Sequence, residues 1–594
     1  MKSIGRIMIS RRTHIGVLLL ALSPFHAQAK KPRTEPLIPL TPTQAALVDR
    51  AIANEKAMIR RLQKSTPLVQ TYIQNMKPDP QLGSIPTSDQ YILSRVDFGK
   101  TFQAAGYKAK PAGNGLFKGS AAALNSLTKS LGLDTAYEPT GFMDMMFIDP
   151  TSFDRQHYDF AFVRNDFLGS VRTQVFDVLP RRNTGAGRFN GRIWIEDEQG
   201  TVVRLNGIYS GNEKFERPHY LHFDSWRMNL QPGVWLPAEI YVEESHGNRM
   251  EDAADVRART SFWGYSLKLP ARDSENASIQ IDGVVDKSDS AQDLSPLEAS
   301  RAWVSQAEAN VIDRLVQAGV LAPPSDFDKV LETVTNNLII GNNLNLPDQV
   351  HCRVLLTTPL ESLAVGNTIL ISKGLVDVLP TEEDLASVLA FQLAHITLGH
   401  HVDTRYAFSD RLLFPDQATF ERITMNHSAN DDSMAAKKAV EYLNKSVYHD
   451  RLANAGLFFV QLQERSKDLK ALTTPRLGDS LLTADGSPWL AELTKTAPKI
   501  QVDNLQQIAA LPLGSHLKVN AWDDRVSQLN AKPAPLVNAR DKMPFQVTPI
   551  FLRLTRYTEA ASAPAPGAGP APGTPPAPAA GGDSAAAAPA PAPQ

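Results

Sequence analysis

The stretch TEEDLASVLAFQLAHITLGHH, residues 381–401, decides how the second half of this chain is expected to fold. It is typical of one long helix, because a threonine that can cap the start is followed by acidic residues that suit the positive end of the helix dipole. Phe391, Gln392 and His395 all fall within it. What these three side chains can do chemically decides the functional interpretation.

Sequence patterns on both sides predict a mainly helical domain over residues 296–470. Two predicted strands precede the long helix, HCRVLLTT and NTILIS, and the second ends at a turn around Gly374. Amphipathic helices are predicted before and after, in LEASRAWVSQAEANVIDRLVQAG, DFDKVLETVTNNLIIGNNL, DSMAAKKAVEYLNKS and LANAGLFFVQLQERSKDL.

This order resembles the zinc metalloendopeptidases of the HtpX, Oma and BepA type over residues 327–457, most specifically in GNTILISKGLVDVLPTEEDLASVLA. The resemblance implies a gluzincin fold. In that fold a His-Glu-x-x-His helix binds zinc through two histidines, its glutamate deprotonates the metal-bound water, and a later helix supplies a third ligand. The resemblance also implies an edge strand that pairs with the substrate backbone, here Asn367, Thr368, Ile369 and Leu370.

The implied zinc motif is degenerate in this chain. Phe391 stands at the first metal-binding histidine, Gln392 stands at the catalytic glutamate, and His395 keeps the second histidine. A glutamine has no ionisable group near neutral pH, so Gln392 can orient a water but cannot deprotonate it. The Phe391 ring should fill the volume that a metal would need. We therefore expect no catalytic residue and no stoichiometric zinc. Zinc is expected only if non-standard ligands make the chain an active peptidase.

The position of the third ligand depends on the alignment. Anchoring on AVEYL places Met434 and Ala436 there, and Phe391 should then pack near Met434. A different anchoring offers Asp431 or Asp432, whose side chains are shorter than the usual glutamate.

The other histidines do not decide whether the chain can bind a metal ion. On one continuous helix His395 and His400 would lie about 140° apart around the axis, too far to bind the same ion. His427 and His449 are distant in sequence and can be judged only in three dimensions. His395 is therefore either a buried histidine with hydrogen-bond partners or a ligand of an altered site.

An antiparallel β-meander is predicted for residues 137–270. Seven runs between residues 158 and 269 have a period of two, and turn formers such as Asn183-Thr184-Gly185 separate most of them. The aromatic residues should fill or line the concave side of a curved sheet: Phe189, Trp194, Tyr209, Phe223, Trp226, Trp235 and Tyr241.

The meander resembles the lipoprotein-carrier fold of LolA, LolB and the RseB N-terminal domain, through GRIWIEDEQGTVVRL and WLPAEIYVEE. That resemblance implies a half-barrel around a helix, with an apolar cavity that could hold an acyl chain or a lipoprotein.

The remaining segments are assigned from composition. Residues 1–29 are typical of a cleavable export signal, in which basic residues and a short apolar run precede Ala27-Gln28-Ala29, and a retained membrane anchor is the alternative. We predict a helical region over 30–136, a polar linker over 271–295 and an extension over 471–558. The Ala/Pro-rich tail, 559–594, should be disordered, with a tether through the cell wall as the alternative.

The overall composition excludes several classes of protein. A hydrophobic fraction of 42% and a charged fraction of 21% are those of a soluble globular protein. A formal net charge of −2 gives no reason to expect a nucleic acid partner. One cysteine, Cys352, cannot form an internal disulfide or a cysteine-rich metal site.

Three functions compete for this α+β multidomain chain, which is expected in the periplasm or outside the cell, without a transmembrane segment after cleavage. The first is an inactive pseudopeptidase that binds extended or unfolded polypeptide, including outer-membrane proteins, in envelope quality control. The second is a lipid or lipoprotein carrier that acts through the β-meander. The third is an active zinc peptidase with non-standard ligands.

The export signal generates the first prediction. The mature protein should start near Lys30 and lie outside the cytoplasm, because signal peptidase cleaves after the small-residue motif. N-terminal sequencing of the protein from fractionated cells tests this. Full-length protein that begins at Met1 and stays in the cytoplasm would contradict it.

Overall fold

A computed structural model gives the fold of the chain. It describes residues 38–79, 83–100, 103–108, 142–185, 187–209, 219–246, 256–265, 308–313, 315–316, 318–379, 381–402, 425–497, 517–519, 526–528, 545, 547 and 552–557. The predicted signal peptide, the linker 271–295 and the tail 559–594 lie outside this set.

The first part of the fold, the sheet domain (described residues of 38–265), is one helix packed on a large sheet. Helix α1, Pro42–Leu62, starts with a capping box in which Thr41 and Gln44 each bond the other's backbone N–H. Two 3-10 helices, Phe98–Lys100 and Met143–Met146, connect strands. The strands are β1 Leu68–Asp79, β2 Gly83–Asp97, β3 Gln103–Lys108, β4 Tyr158–Leu168, β5 Val171–Pro180, β6 Phe189–Glu196, β7 Val202–Tyr209, β8 His219–Gln231, β9 Val234–His246 and β10 Val256–Trp263.

These ten strands form one sheet in the order β3-β2-β1-β10-β9-β8-β7-β6-β5-β4, and the paired neighbours are antiparallel. Strands β4–β10 are the seven predicted runs, and they lie side by side in chain order. The predicted meander is therefore confirmed. Strand β10 also pairs with β1, from Leu68↔Trp263 to Asn75↔Val256, so the N-terminal segment adds three strands to the meander.

The prediction that residues 30–136 are helical is wrong beyond α1, because most of the described residues that follow form β1–β3. Val69 and Ile73 of β1 belong to the hydrophobic cluster under α1. Gln70 and Gln74 point to the opposite face and are buried as well. A strand with both faces buried, one of them carrying glutamines, lacks the apolar–polar alternation that would have identified it.

The two faces of the sheet pack against different parts of the chain. Phe189 and Phe223 lie in the cluster covered by α1, whereas Trp194 and Trp226 pack around Leu554 in a separate cluster. The prediction that the aromatic residues share one concave side is therefore wrong. Successive residues of a strand point to opposite faces of the sheet, and here both faces are packed.

The second part, the helical domain (described residues of 308–497), surrounds a small sheet. Strands β11 His351–Leu355, β12 Ser362–Val365 and β13 Thr368–Ser372 lie in the order β11-β13-β12. Residues 308–313 are helical, and a 3-10 helix spans His449–Arg451. The remaining helices are α2 Asp326–Gly341, α3 Lys373–Val378, α4 Glu382–Leu398, α5 Ala429–Asn444, α6 Leu452–Arg465, α7 Lys470–Thr473 and α8 Ala491–Thr494.

Buried hydrogen bonds join the two domains. The Gln70 side chain donates to Thr358 Oγ1 at 2.7 Å and accepts from the Thr358 N–H at 2.9 Å. The Asp89 carboxylate of β2 accepts the N–H groups of Ala471 and Leu472 at 2.8 and 2.7 Å. Burial raises the pKa of Asp89 to about 6, although these two N–H groups oppose the shift. Apolar residues of β1 and β2 also lie in the hydrophobic core of the helical domain, so one face of these strands is part of that core.

The C-terminal extension contributes two short paired strands, β14 Leu517–Val519 and β15 Val526–Gln528, among its described residues. It also reaches back to β1. The Gln74 side chain donates to the Phe545 carbonyl and accepts from the Val547 N–H at 2.7 Å.

No helix within the described parts of the chain has the length and apolarity needed to cross a membrane.

The contact between α1 and the sheet generates the second prediction. Arg227 and Glu55 form a buried two-point ion pair, and Arg227 also donates to the Val202 carbonyl at 2.9 Å. Glu55→Gln leaves a buried guanidinium without its counter-charge, which should lower the free energy of unfolding of the sheet domain by about 3–5 kcal/mol. Urea denaturation followed by tryptophan fluorescence measures this.

Asp49→Asn is the matched control, because Asp49 lies on the same helix in an exposed pair with Arg155. Its loss should cost less than about 1 kcal/mol. Equal effects of the two substitutions would show that the buried pair does not hold α1 on the sheet.

Candidate functional site

Helix α4 runs through the interior of the helical domain. Thr381 and Asp384 form a capping box at its start, and Gly399 ends it with φ 68°, a left-handed conformation that glycine adopts without strain. Every side chain from Ala386 to His395 is buried, because α4 packs against β12, β13, α2, α5 and α6. A polar group on this helix needs an internal partner, since burial without one costs free energy.

Phe391, Gln392 and His395 lie on this one continuous helix, each with 0% exposure. The Phe391 and His395 rings are one turn apart, with centroids separated by 5.0 Å, and Phe391 is part of the hydrophobic core. Met434 is 42% exposed and lies outside that core, so the predicted packing of Phe391 near Met434 is wrong. Two helical positions span about 200°, and it is Asp432, not Met434, that faces α4.

Three histidines meet at the C-terminal end of α4. Because Gly399 ends the helix, His400 folds back and its Nδ1 lies 3.1 Å from Nδ1 of His395. The assumption of a helix continuing through residue 400 is therefore wrong, and the two rings meet; that they do not bind the same ion stays a prediction. His427, just before α5, stacks on His395 with ring centroids 3.9 Å apart and planes at 27°. His449 is exposed and belongs to a separate 3-10 turn.

Two buried carboxylates complete the cluster. Asp479 Oδ1 accepts the His427 backbone N–H at 2.6 Å, and Oδ2 lies 2.8 Å from His427 Nδ1 and accepts the Gln392 amide at 3.2 Å. Asp432 Oδ1 lies 3.5 Å from His395 Nε2. The side chain at the position of the catalytic glutamate is thus an anchor for a carboxylate and has no free donor aimed at a substrate.

Four polar atoms of this cluster are buried without a hydrogen-bond partner: Gln392 Oε1, His395 Nε2, His427 Nε2 and Asp432 Oδ1. Leaving a buried donor or acceptor unpaired costs about 1–3 kcal/mol each. Native structures rarely concentrate such atoms at one point unless a ligand, ion or water satisfies them.

The charges of the cluster respond to burial. Desolvation, followed by the neighbouring His427, lowers the pKa of His395 to about 3, so the ring is neutral near pH 7. Burial, followed by the charge of Asp479, raises the pKa of Asp432 to about 7. One ligand atom from each of His395, His427, Asp432 and Asp479 lies within 4.8 Å of those of the other three. Neutral imidazoles and carboxylates are the donors that a divalent metal requires.

The predicted substrate strand is not at an edge of its sheet. Strand β13 lies between β11, with which it is parallel, and β12, with which it is antiparallel. Both of its sides are therefore occupied, and the edge assignment is wrong for Thr368, Ile369 and Leu370, while Asn367 lies in the turn before the strand. Parallel pairing between β11 and β13, which a strand pattern does not show, puts β13 in the centre.

Strand β12 lies beside α4. Its outer side, away from β13, faces the C-terminal segment around Asp479. Ser362 of β12 forms an antiparallel bridge with Asp479, whose N–H donates to the Ser362 carbonyl at 2.7 Å. A Cβ added to Gly478 would approach the Ser362 carbonyl oxygen to 2.8 Å, so glycine permits this close approach. Gln392 Nε2 also donates to Ser362 Oγ at 2.9 Å.

Sequence reasoning left His427 open and missed Asp479 as a site residue, because no motif spacing links them to α4. Asp432 was available only through the alternative alignment. The one usable signal was Gly399, a residue typical of a helix end.

No protein-family model and no curated protein matches the chain. Among solved structures, the chain is similar to a DUF1329 family protein from Desulfovibrio piger ATCC 29098, with 11% identity and a TM-score of 0.19, over 40% of this chain and 98% of that one. A TM-score this low carries no argument about the fold or function of this chain.

The titration of Asp432 generates the third prediction. Its folded pKa of about 7 lies above the ordinary 3.8, so the unfolded chain loses this proton first and the carboxyl lowers stability as pH rises between those values. In chelator-treated protein, Asp432→Asn should therefore raise the melting temperature at pH 8 and change it less at pH 5, measured by differential scanning fluorimetry.

Asp431→Asn is the matched control on the same helix. A hydrogen bond from Ser428 lowers the pKa of Asp431, so its neutralisation should lower the melting temperature at pH 8. An Asp432→Asn protein that melts below the unmodified protein at pH 8 in chelator would contradict the raised pKa of Asp432.

Proposed function

We propose that this chain is an exported, peptidase-like protein without proteolytic activity, which binds extended polypeptide by antiparallel pairing with β12. The proposal joins the resemblance to zinc metalloendopeptidases with the chemistry of the buried site. Envelope proteins that are unfolded during transit, outer-membrane proteins among them, are the clients that an exported protein of this kind would meet.

The chemistry and burial of Gln392 are the main support for the proposal. A peptidase needs a base that takes a proton from water at this point of the helix. Gln392 cannot take one, and its amide group is fully buried and donates to Ser362 and Asp479. An enzyme would need a base at this position and access for its substrate. Gln392 is not a base, and its burial leaves no access.

The contacts of β12 support the proposal that this chain binds polypeptide. Its outer side accepts an extended segment of this chain, at the Ser362–Asp479 bridge. Strand addition of this kind relies on backbone hydrogen bonds and needs few particular side chains, so it suits clients of varied sequence. A client strand would take the place of residues 478–479.

The lipid-carrier alternative requires an apolar cavity on the face of the sheet beneath α1. The side chains of the cluster on that face are 0–8% exposed and pack against one another. An acyl chain could enter only if several of them moved, and this favours the polypeptide-binding proposal.

The proposed lack of proteolytic activity generates the fourth prediction. The mature protein should not cleave a reduced and alkylated globular protein, with or without added zinc. Phe391→His combined with Gln392→Glu should not restore cleavage, because residue 392 stays packed against Ser362 and Asp479, away from any substrate. Loss of substrate on a gel measures this. Chelator-sensitive cleavage by the unmodified chain would overturn the proposal in favour of the active peptidase.

Polypeptide binding is tested with the same unfolded protein as a fluorescent ligand. Gly478→Val should push residues 478–479 away from the Ser362 backbone and raise affinity about tenfold, since the competing segment is weakened. Ala484→Val adds similar bulk at an exposed position nearby and should leave affinity unchanged. If neither the unmodified chain nor the Gly478→Val variant binds, the polypeptide-binding function is wrong.

A further inference from the structure

We infer that His395, His427, Asp432 and Asp479 form a closed, structural site for one divalent transition-metal ion, with zinc the ion that suits the donors best. Two imidazoles and two carboxylates are a common four-coordinate zinc set. One divalent cation would balance the charge of the two carboxylates when both are ionised.

The unpaired atoms are those that a metal would bind. His395 Nε2, His427 Nε2 and Asp432 Oδ1 are all buried without a hydrogen-bond partner. The Nδ1 of His395 is held by His400, the division typical of metal-binding histidines, because a bond at one ring nitrogen fixes the orientation in which the other faces the ion. The Nδ1 of His427 lies 2.8 Å from Asp479 Oδ2, and this contact has to open before Asp479 can bind the same ion.

The distances require a small contraction on binding. The four ligand atoms lie within 4.8 Å of one another, whereas ligands of a tetrahedral zinc ion are about 3.4 Å apart. The His395 and His427 rings are stacked at 3.9 Å, and the lone pairs of nearly parallel rings do not converge on one point. Binding therefore requires the His427 ring to turn about its Cβ–Cγ bond, which releases Asp479 Oδ2 from His427 Nδ1 and frees that oxygen for the ion.

Burial makes the site structural. His395, His427, Asp432 and Asp479 are 0, 1, 8 and 1% exposed, so no open position faces solvent, where catalytic zinc sites keep one for water or substrate. The ion would join α4, the start of α5 and the segment at Asp479.

The site shares His395 with the one that the peptidase resemblance implies, and it shares Asp432 as well under the alternative anchoring of the third ligand. His427 and Asp479 have no counterpart there, and Phe391 occupies the first implied ligand position. Polypeptide binding at β12 needs no metal, although a client strand that displaced residues 478–479 would also move Asp479 out of the site. Metal content and polypeptide affinity can therefore fail separately.

The test is the metal content of the full mature chain, exported from cells grown with zinc and passed through gel filtration. Mass spectrometry of the elements should find about one equivalent of a divalent transition metal per chain. Asp432→Asn and His427→Asn should each lower the occupancy at least tenfold, whereas Asp431→Asn and His449→Asn should retain it.

A second readout serves if a ligand variant does not fold. Chelator-stripped unmodified protein should bind Co²⁺ with the intense visible absorption of a four-coordinate site, and Zn²⁺ should displace it. Added Zn²⁺ should also reverse the sign of the Asp432→Asn effect at pH 8, so that the variant then melts below the unmodified protein.

Less than a tenth of an equivalent in the purified chain, together with no melting shift on adding Zn²⁺, Co²⁺, Ni²⁺ or Mn²⁺ to the stripped protein, would overturn the inference. Equal loss of metal in Asp432→Asn and Asp431→Asn would place the ion elsewhere and overturn it as well.

Discussion

The carboxylate of Asp479 is the contact on which the interior of the helical domain depends. Its two oxygens lie within hydrogen-bond distance of the His427 backbone N–H, His427 Nδ1 and the Gln392 amide, while its own N–H bonds the Ser362 carbonyl. Four separate segments thus meet at one buried residue. Charge-assisted hydrogen bonds in a low dielectric are among the stronger polar contacts, and these determine which side chains face the end of α4.

Sequence reasoning identified most of the sheet and missed its first three strands for a physical reason. Strands β4–β10 alternate and end in turn formers, and the antiparallel meander follows from those two features. Strand β1 carries Gln70 and Gln74 on a buried face, where they bond Thr358 and the backbone near residue 547. Burial of polar residues erases the pattern, so no single-sequence argument could distinguish this strand from a helix.

The candidate site shows the same limit. Phe391, Gln392 and His395 follow from local spacing on one helix, and the structure keeps them there. His427 and Asp479 are 52 residues apart in sequence and meet only through tertiary packing. The His400 contact was missed for a different reason, since Gly399 already signalled that the helix ends before it. The metal site could therefore not be predicted from the sequence, because residue spacing does not encode the contacts that form it.

Pairing of β1 with β10 sets the point in synthesis at which the sheet can be completed. Strand β1 emerges early, but its partner ends at Trp263, and the backbone groups that satisfy Gln74 lie 471 and 473 residues further along. Contacts of such long separation form slowly. The buried face of β1 therefore stays incomplete until nearly the whole chain has been made, and until then β1 presents unpaired backbone groups that other chains can bind.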